Sequence, residues 1–256
     1  MPTELTVAEH LSGLDAALVS FVGDARSAGL DADVPTCPDW TVRRLVAHQG
    51  MVHRWATGAL RGEAVDADAV EASGAGSPDP VAWLAEGAEA LVAAIRDAAE
   101  DVRTVVFLND APPPRRFWAR RQCHETTMHA VDARSAALGR YPRGVDTGID
   151  PRLARDGIDE LLAGFLTRNH SRLRCDDPLR VACRPDDADD SWLVEVSRRP
   201  PVTTRRPDPD DLAGADVVLE ASSVSLYLAL WNRSDEVDVA PDLWGRWQEQ
   251  SPIRWT

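Results

Sequence analysis

Lysine is absent from this sequence: the 28 basic residues are all arginine, set against 42 acidic ones, for a formal charge of −14. The all-arginine usage points to a GC-rich genome and carries no functional reading. The negative balance disfavours nucleic acid and anionic membrane surfaces as partners, since both need basic patches to displace counterions. The arginine-rich pieces at 115–121 and 198–206 are too short and interrupted to reverse that. Paired cysteines are missing as well. Cys37, Cys123, Cys175 and Cys183 form no CxxC spacing, which removes a paired-cysteine zinc motif and an evident disulfide framework, and leaves reduced, buried thiols as the expectation. Cys37 precedes a histidine-bearing helix closely, but reads first as a small apolar filler. No window approaches the roughly 18 apolar residues of a membrane span, and the first residues offer neither a basic n-region nor an apolar h-region. A cytoplasmic protein with no membrane partner is therefore expected. A GxSxG nucleophile elbow and a P-loop are lacking too, and Gly74-Ala75-Gly76 has no flanking strand of the kind a dinucleotide fingerprint requires.

What is present is concentrated in one segment, residues 115–133, which strings metal-capable side chains along what reads as a single helix. At about 100° per residue, Glu125 and His129 stand one turn apart on one face, with Trp118, Arg121, Gln122 and Asp132 within roughly 40–60° of them. His124 points elsewhere, and Met128 occupies the position where an HExxH pattern would place its second histidine, so the pair to consider is Glu125 with His129. A catalytic divalent metal usually takes three protein ligands and keeps an open position. The best third donor is His48, because Leu45, His48, Val52 and Trp55 recur at helical spacing and put the imidazole on an inward, apolar face; His53 lies well off that face. The plainer alternatives are a hydrogen-bonded core histidine and a surface Glu–His ion pair.

At 256 residues the chain is long enough for two domains, and its patterning changes part-way. A capping box at Thr6–Glu9 opens a first helix that runs to Gly29. Thr41 caps a second, carrying His48 to about Leu60. Residues 62–80 are small, acidic and aperiodic and read as a loop. Pro80 opens a third helix ending before Val102, and the fourth is the metal-capable segment, continuing to about Leu138. Four such helices predict a bundle with inward metal-binding side chains. After Asp150-Pro151 starts a further amphipathic helix, Leu179, Val181 and Cys183 alternate, as do Trp192, Val194 and Val196, which reads as a hairpin. The proline-rich stretch 197–211 reads as a loop, Val217 and Leu219 as another strand, and Ser222 or Ser223 as the cap of an apolar helix reaching Trp231, with Arg233 at its end. The fold class expected is thus two-domain, α plus α/β: a four-helix bundle over 1–145 and a small α+β domain over 146–256.

Cys37-Pro38-Asp39-Trp40-Thr41-Val42 with Leu45-Val46-Ala47-His48, then Phe117-Trp118, Arg121, His124-Glu125-Thr126, His129 and Asp132-Ala133, resembles the mycothiol-dependent maleylpyruvate isomerase family. Further similarity lies at Asp156–Glu160 and at Leu228-Ala229-Leu230-Trp231-Asn232-Arg233, so the likeness extends from about Leu5 to Trp247. It implies a DinB-like bundle joined to a smaller C-terminal domain, with metal ligands at His48, Glu125 and His129. It also implies an arginine lent by the C-terminal domain, which would be Arg233, although Asn232 stands where the family commonly has glycine. The family's actinobacterial distribution agrees with the all-arginine composition.

The chemistry expected on this basis uses a divalent metal, Zn²⁺ for a borderline N/O donor set, and mycothiol as a low-molecular-weight thiol cosubstrate. A thiolate could add to an activated C=C bond of a small electrophilic substrate. Rotation and elimination would give cis–trans isomerisation, and retention of the adduct would be thiol transfer. Arg121 and Arg233 are the candidates to pair with substrate carboxylates, and Trp40 and Trp118 to wall the pocket. Asp132 either accepts the other N–H of His129 or is a solvated helix residue. A non-catalytic metal-binding or regulatory protein, or a metal-dependent hydrolase, are the rival classes. A monomer or homodimer is expected.

Overall fold

The structure is a computed structural model that describes residues 4–237 and 241–251. It divides into two compact units, the first being Leu5–Val106 with Pro112–Pro142, the second Phe107–Ala111 with the chain from Arg143 onward.

The first unit is helical. Helix α1 is Val7–Ala28, opened by the capping box in which Thr6 Oγ1 accepts from Glu9 N at 3.2 Å and Glu9 Oε2 accepts from Thr6 N at 2.8 Å. Helix α2 is Val42–Arg61, capped by Thr41 and closed by Gly62 in the left-handed region at φ 73°. Helix α3 is the short Ala67–Ala75, helix α4 is Pro80–Asp97 behind an Asp79 cap, and helix α5 is Pro114–Leu138, which starts with proline at a position where no amide donor is needed. Helix α5 packs against α1 and α2, and α2 against α4. Phe21, Val42, Leu45, Val46, Leu84, Ala130 and Ala133 meet in the core between them.

Helix α3 corrects the expectation of a loop across 62–80. Asp66 caps it by accepting from Ala69 N at 3.1 Å. Its composition shows no apolar stripe because it docks by close backbone approach. Gly74 of α3 and Gly50 of α2 both lie against the Trp83 ring, and a Cβ at either position would overlap the indole. Arg43 Nη1 donates to Ala75 O at 3.3 Å and ties down the helix end.

In the second unit, helix α6 (Pro151–Asp159) is capped by Asp150 and continues as a π-helical turn over Glu160–Phe165. Strands β1 (Leu179–Pro185) and β2 (Trp192–Val196) form the antiparallel hairpin, in register Val181 with Val194 and Cys183 with Trp192. Strand β3 (Val202–Arg205), helix α7 (Pro209–Ala213), strand β4 (Val217–Ala221) and helix α8 (Ser223–Leu230) follow, then helix α9 (Pro241–Gln250). The sheet order is β3-β2-β1-β4, with β4 parallel to β1, which makes it mixed. Residues 197–211 are therefore not all loop. Strand β3 is an edge strand whose side chains are exposed or half-buried, so its pairing to β2 rests on backbone hydrogen bonds and leaves no alternating apolar signal. Among the described residues no helix is long and apolar enough to cross a membrane.

Candidate metal centre

Every residue of α5 from 117 to 133 is buried, though the segment is rich in charge and amide. A polar helix in that position must have its groups paired from all sides, since an unpaired buried charge is costly. Arg121 Nη2 donates to Glu125 Oε2 at 2.6 Å, one turn along the same helix. His129 Nδ1 lies 2.9 Å from Asp132 Oδ2, and Thr36 Oγ1 donates to Asp132 Oδ1 at 2.6 Å. Ser135 Oγ completes the group, 2.9 Å from Thr36 Oγ1 and donating to Asp132 O at 2.7 Å. Asp132 is fully buried, so of its two readings the structure selects the brace on His129. Thr36 and Ser135 carried no sequence signal, because Thr36 reaches the site from a loop distant in the chain.

Helix α2 brings His48 to the same place. One donor atom from each of His48, Glu125 and His129 lies within 4.8 Å of the other two, a spacing that could hold a metal ion. The His48 and His129 rings stand edge to face, with centroids 5.4 Å apart, and His129 Nε2 is 3.5 Å from Glu125 Oε1. Trp40 covers both imidazoles, meeting His48 edge-on at 5.0 Å and stacking on His129 at 6.3 Å. The three side chains keep 16 %, 11 % and 10 % exposure, so each is mostly buried but retains some contact with solvent.

Charge is graded across the cluster. Burial alone would raise the Glu125 carboxyl, but the Arg121 guanidinium and the His129 ring outweigh it and hold it well below the usual carboxylate range. Burial likewise opposes a proton on His129, yet hydrogen bonds to Asp132 and Glu125 prevail and raise its pKa to about 9. His48 moves the other way, lowered by burial and by the neighbouring His129 against the pull of Glu125 and Glu71. His53 is not part of this cluster: Thr126 Oγ1 is 2.9 Å from its Nε2, Gln49 Nε2 is 2.8 Å from the same atom, and burial, with the Arg54 charge, pushes its pKa down to about 3.

The other expected site residues are distributed differently. Arg121 is buried and committed to Glu125. Trp118 is fully buried, edge to face with Trp55 and Phe117, in an aromatic packing arrangement distinct from the position of Trp40. Arg233 belongs to the second unit, where it follows Asn232, a residue at φ 60°, and donates through Nη1 to Trp231 O at 2.9 Å. The left-handed backbone at Asn232 is a conformation glycine adopts without cost and asparagine tolerates. Glu71 of α3, absent from the sequence reading, lies with its Oε2 3.4 Å from His48 Nδ1.

Two family models match, the mycothiol maleylpyruvate isomerase N-terminal domain over residues 11–134 and the MDMPI C-terminal domain over residues 152–248. The chain belongs to the mycothiol-dependent maleylpyruvate isomerase family. Two solved structures share the fold: a histidine-to-alanine mutant of the mycothiol-dependent maleylpyruvate isomerase, at TM-score 0.60 and 16 % identity, and the mycothiol-dependent maleylpyruvate isomerase itself, at 0.58 and 17 %. Each alignment covers 98 % of this chain and 98 % of the other. No curated protein matches in sequence.

Proposed function

We propose that this protein is a metal-dependent enzyme of the maleylpyruvate isomerase type, which uses mycothiol against a small electrophilic substrate. The observation that carries this reading is the convergence of His48, Glu125 and His129 on one point from two helices. The donor set fits a divalent cation. It is two imidazoles and one carboxylate, a mixture suited to Zn²⁺, and two of the three donors arrive already braced. Bound there, the cation would supply a Lewis acid that keeps a coordinated thiol deprotonated.

The protein's own residues do the rest. Arg121 holds Glu125 in its anionic form and fixes the carboxylate orientation. Asp132, itself held by Thr36, takes the Nδ1 side of His129 and leaves Nε2 facing Glu125. Trp40 supplies an apolar wall beside both imidazoles and excludes water from that side. The reaction class this arrangement suits is addition of a thiolate to an activated alkene. Rotation and elimination then give isomerisation, and retention of the adduct gives thiol transfer.

The test begins with elemental analysis of the purified protein and of His48→Ala and Glu125→Ala. Full metal in the wild type with a loss of more than about 100-fold in affinity in both variants is expected, beyond the roughly 10- to 100-fold of an outer partner. Incubation of the loaded protein with mycothiol and maleylpyruvate should then yield isomer or adduct. Unchanged metal in both variants would sink the site. Full metal without thiol-dependent turnover across several electrophiles would leave a binding protein.

A further inference from the structure

The Asp132 brace on His129 has no counterpart on α5 or α2 for the other imidazole. The carboxylate that meets His48 Nδ1 comes instead from α3. Glu71 Oε2 stands 3.4 Å from His48 Nδ1, with the carboxylate one-third exposed and the ring mostly buried. Glu71 and Gly74 are three residues apart and so share one face of the short helix, the face turned to α2. Gly74 abuts the Trp83 ring, Trp83 lies beneath the Arg54 guanidinium at 3.6 Å, and Arg43 ties Ala75. These anchors leave α3 little freedom to slide, and they set where the Glu71 carboxylate meets the imidazole.

We propose that Glu71 is the positioning residue for His48: it accepts a hydrogen bond from Nδ1–H, fixes the ring's tautomer and turns Nε2 toward the cation. The inference rests on the metal-centre reading above and adds a residue from a third helix to it. Each imidazole then has its own carboxylate, Asp132 for His129 and Glu71 for His48. A histidine so held is a stronger and better-oriented ligand, and removing such a partner costs about 10- to 100-fold in metal affinity.

The experiment compares wild type, Glu71→Ala, Glu71→Gln and His48→Ala, each folded by circular dichroism, in competition titrations with Zn²⁺ and Co²⁺ against a chromophoric chelator. Glu71→Ala should bind both ions about 10- to 100-fold more weakly. Glu71→Gln, whose amide oxygen still accepts the N–H, should recover most of that loss, and it carries the test should the alanine variant loosen α3. The His48 ring resonances of the Zn²⁺-loaded protein should show a protonated Nδ1 in wild type and in Glu71→Gln, and rapid exchange of that proton in Glu71→Ala. The Co²⁺ absorption band should keep its shape in both Glu71 variants. A changed band would make Glu71 itself a ligand and overturn the proposal, as would wild-type affinity in Glu71→Ala. Metal bound by wild type and lost in His48→Ala, with Glu71→Ala unaffected, removes this inference alone. No metal in wild type removes the centre it rests on.

Discussion

Helices α5 and α8 are both buried all round, and they achieve it by opposite means. Five of the eight residues 223–230 of α8 are aliphatic, and burial itself stabilises them. Residues 117–133 of α5 include arginine, glutamine, glutamate, aspartate and two histidines, and there burial would be ruinous without partners. A helix without a preferred outward face can thus be a piece of core or a carrier of chemistry. The difference lies in how many polar groups the helix carries and in the partners that answer them. On α5 the answers come from within the helix, from α2, and from the loop holding Thr36.

Substitutions that treat the two helices alike should give unlike results. Asp132→Ala removes the buried partner of His129 and of Thr36 at once and should cost roughly 3–5 kcal/mol in denaturant unfolding. It should also weaken metal binding by about 10- to 100-fold. Leu228→Ala on α8 should cost about 2–5 kcal/mol by leaving a cavity, with metal affinity unmoved. A metal defect in Leu228→Ala, or none in Asp132→Ala, would erase the distinction. Thr36→Val strips one donor from Asp132 and should cost about 1–3 kcal/mol, with a smaller effect on the metal.

The finest test is pH. In the metal-free protein His129 is raised from 6.5 to about 9, so the stability its proton contributes is complete below pH 6.5 and lost as pH rises through about 9. Cation binding must release that proton, so Co²⁺ affinity should climb by about tenfold per unit over the same window and then level off. Opposite slopes in unfolding and in titration calorimetry are expected. Parallel slopes would mean that His129 is not a ligand.

Much of this was legible in the chain itself because α5 writes Glu125 and His129 at one-turn spacing and His48 shares a face with Leu45, Val52 and Trp55. The bundle followed from caps at Thr6 and Thr41 and from helical periodicity. What stayed hidden depends on contacts that leave no local pattern. Helix α3 has no apolar stripe, since it is seated by glycine against a ring, and Glu71 was hidden with it. Strand β3 pairs through its backbone at an edge. Arg121 stands on the polar stripe of Glu125 in the sequence, and only the structure shows that its guanidinium is buried against that carboxylate.

The indole of Trp83 fills the space that side chains at positions 50 and 74 would otherwise occupy. That restricts the order in which these three positions can change over evolutionary time: the ring has to move or shrink before either backbone can acquire a β-carbon. A lineage that keeps Trp83 in place inherits both glycines, and with them the seat of the short helix.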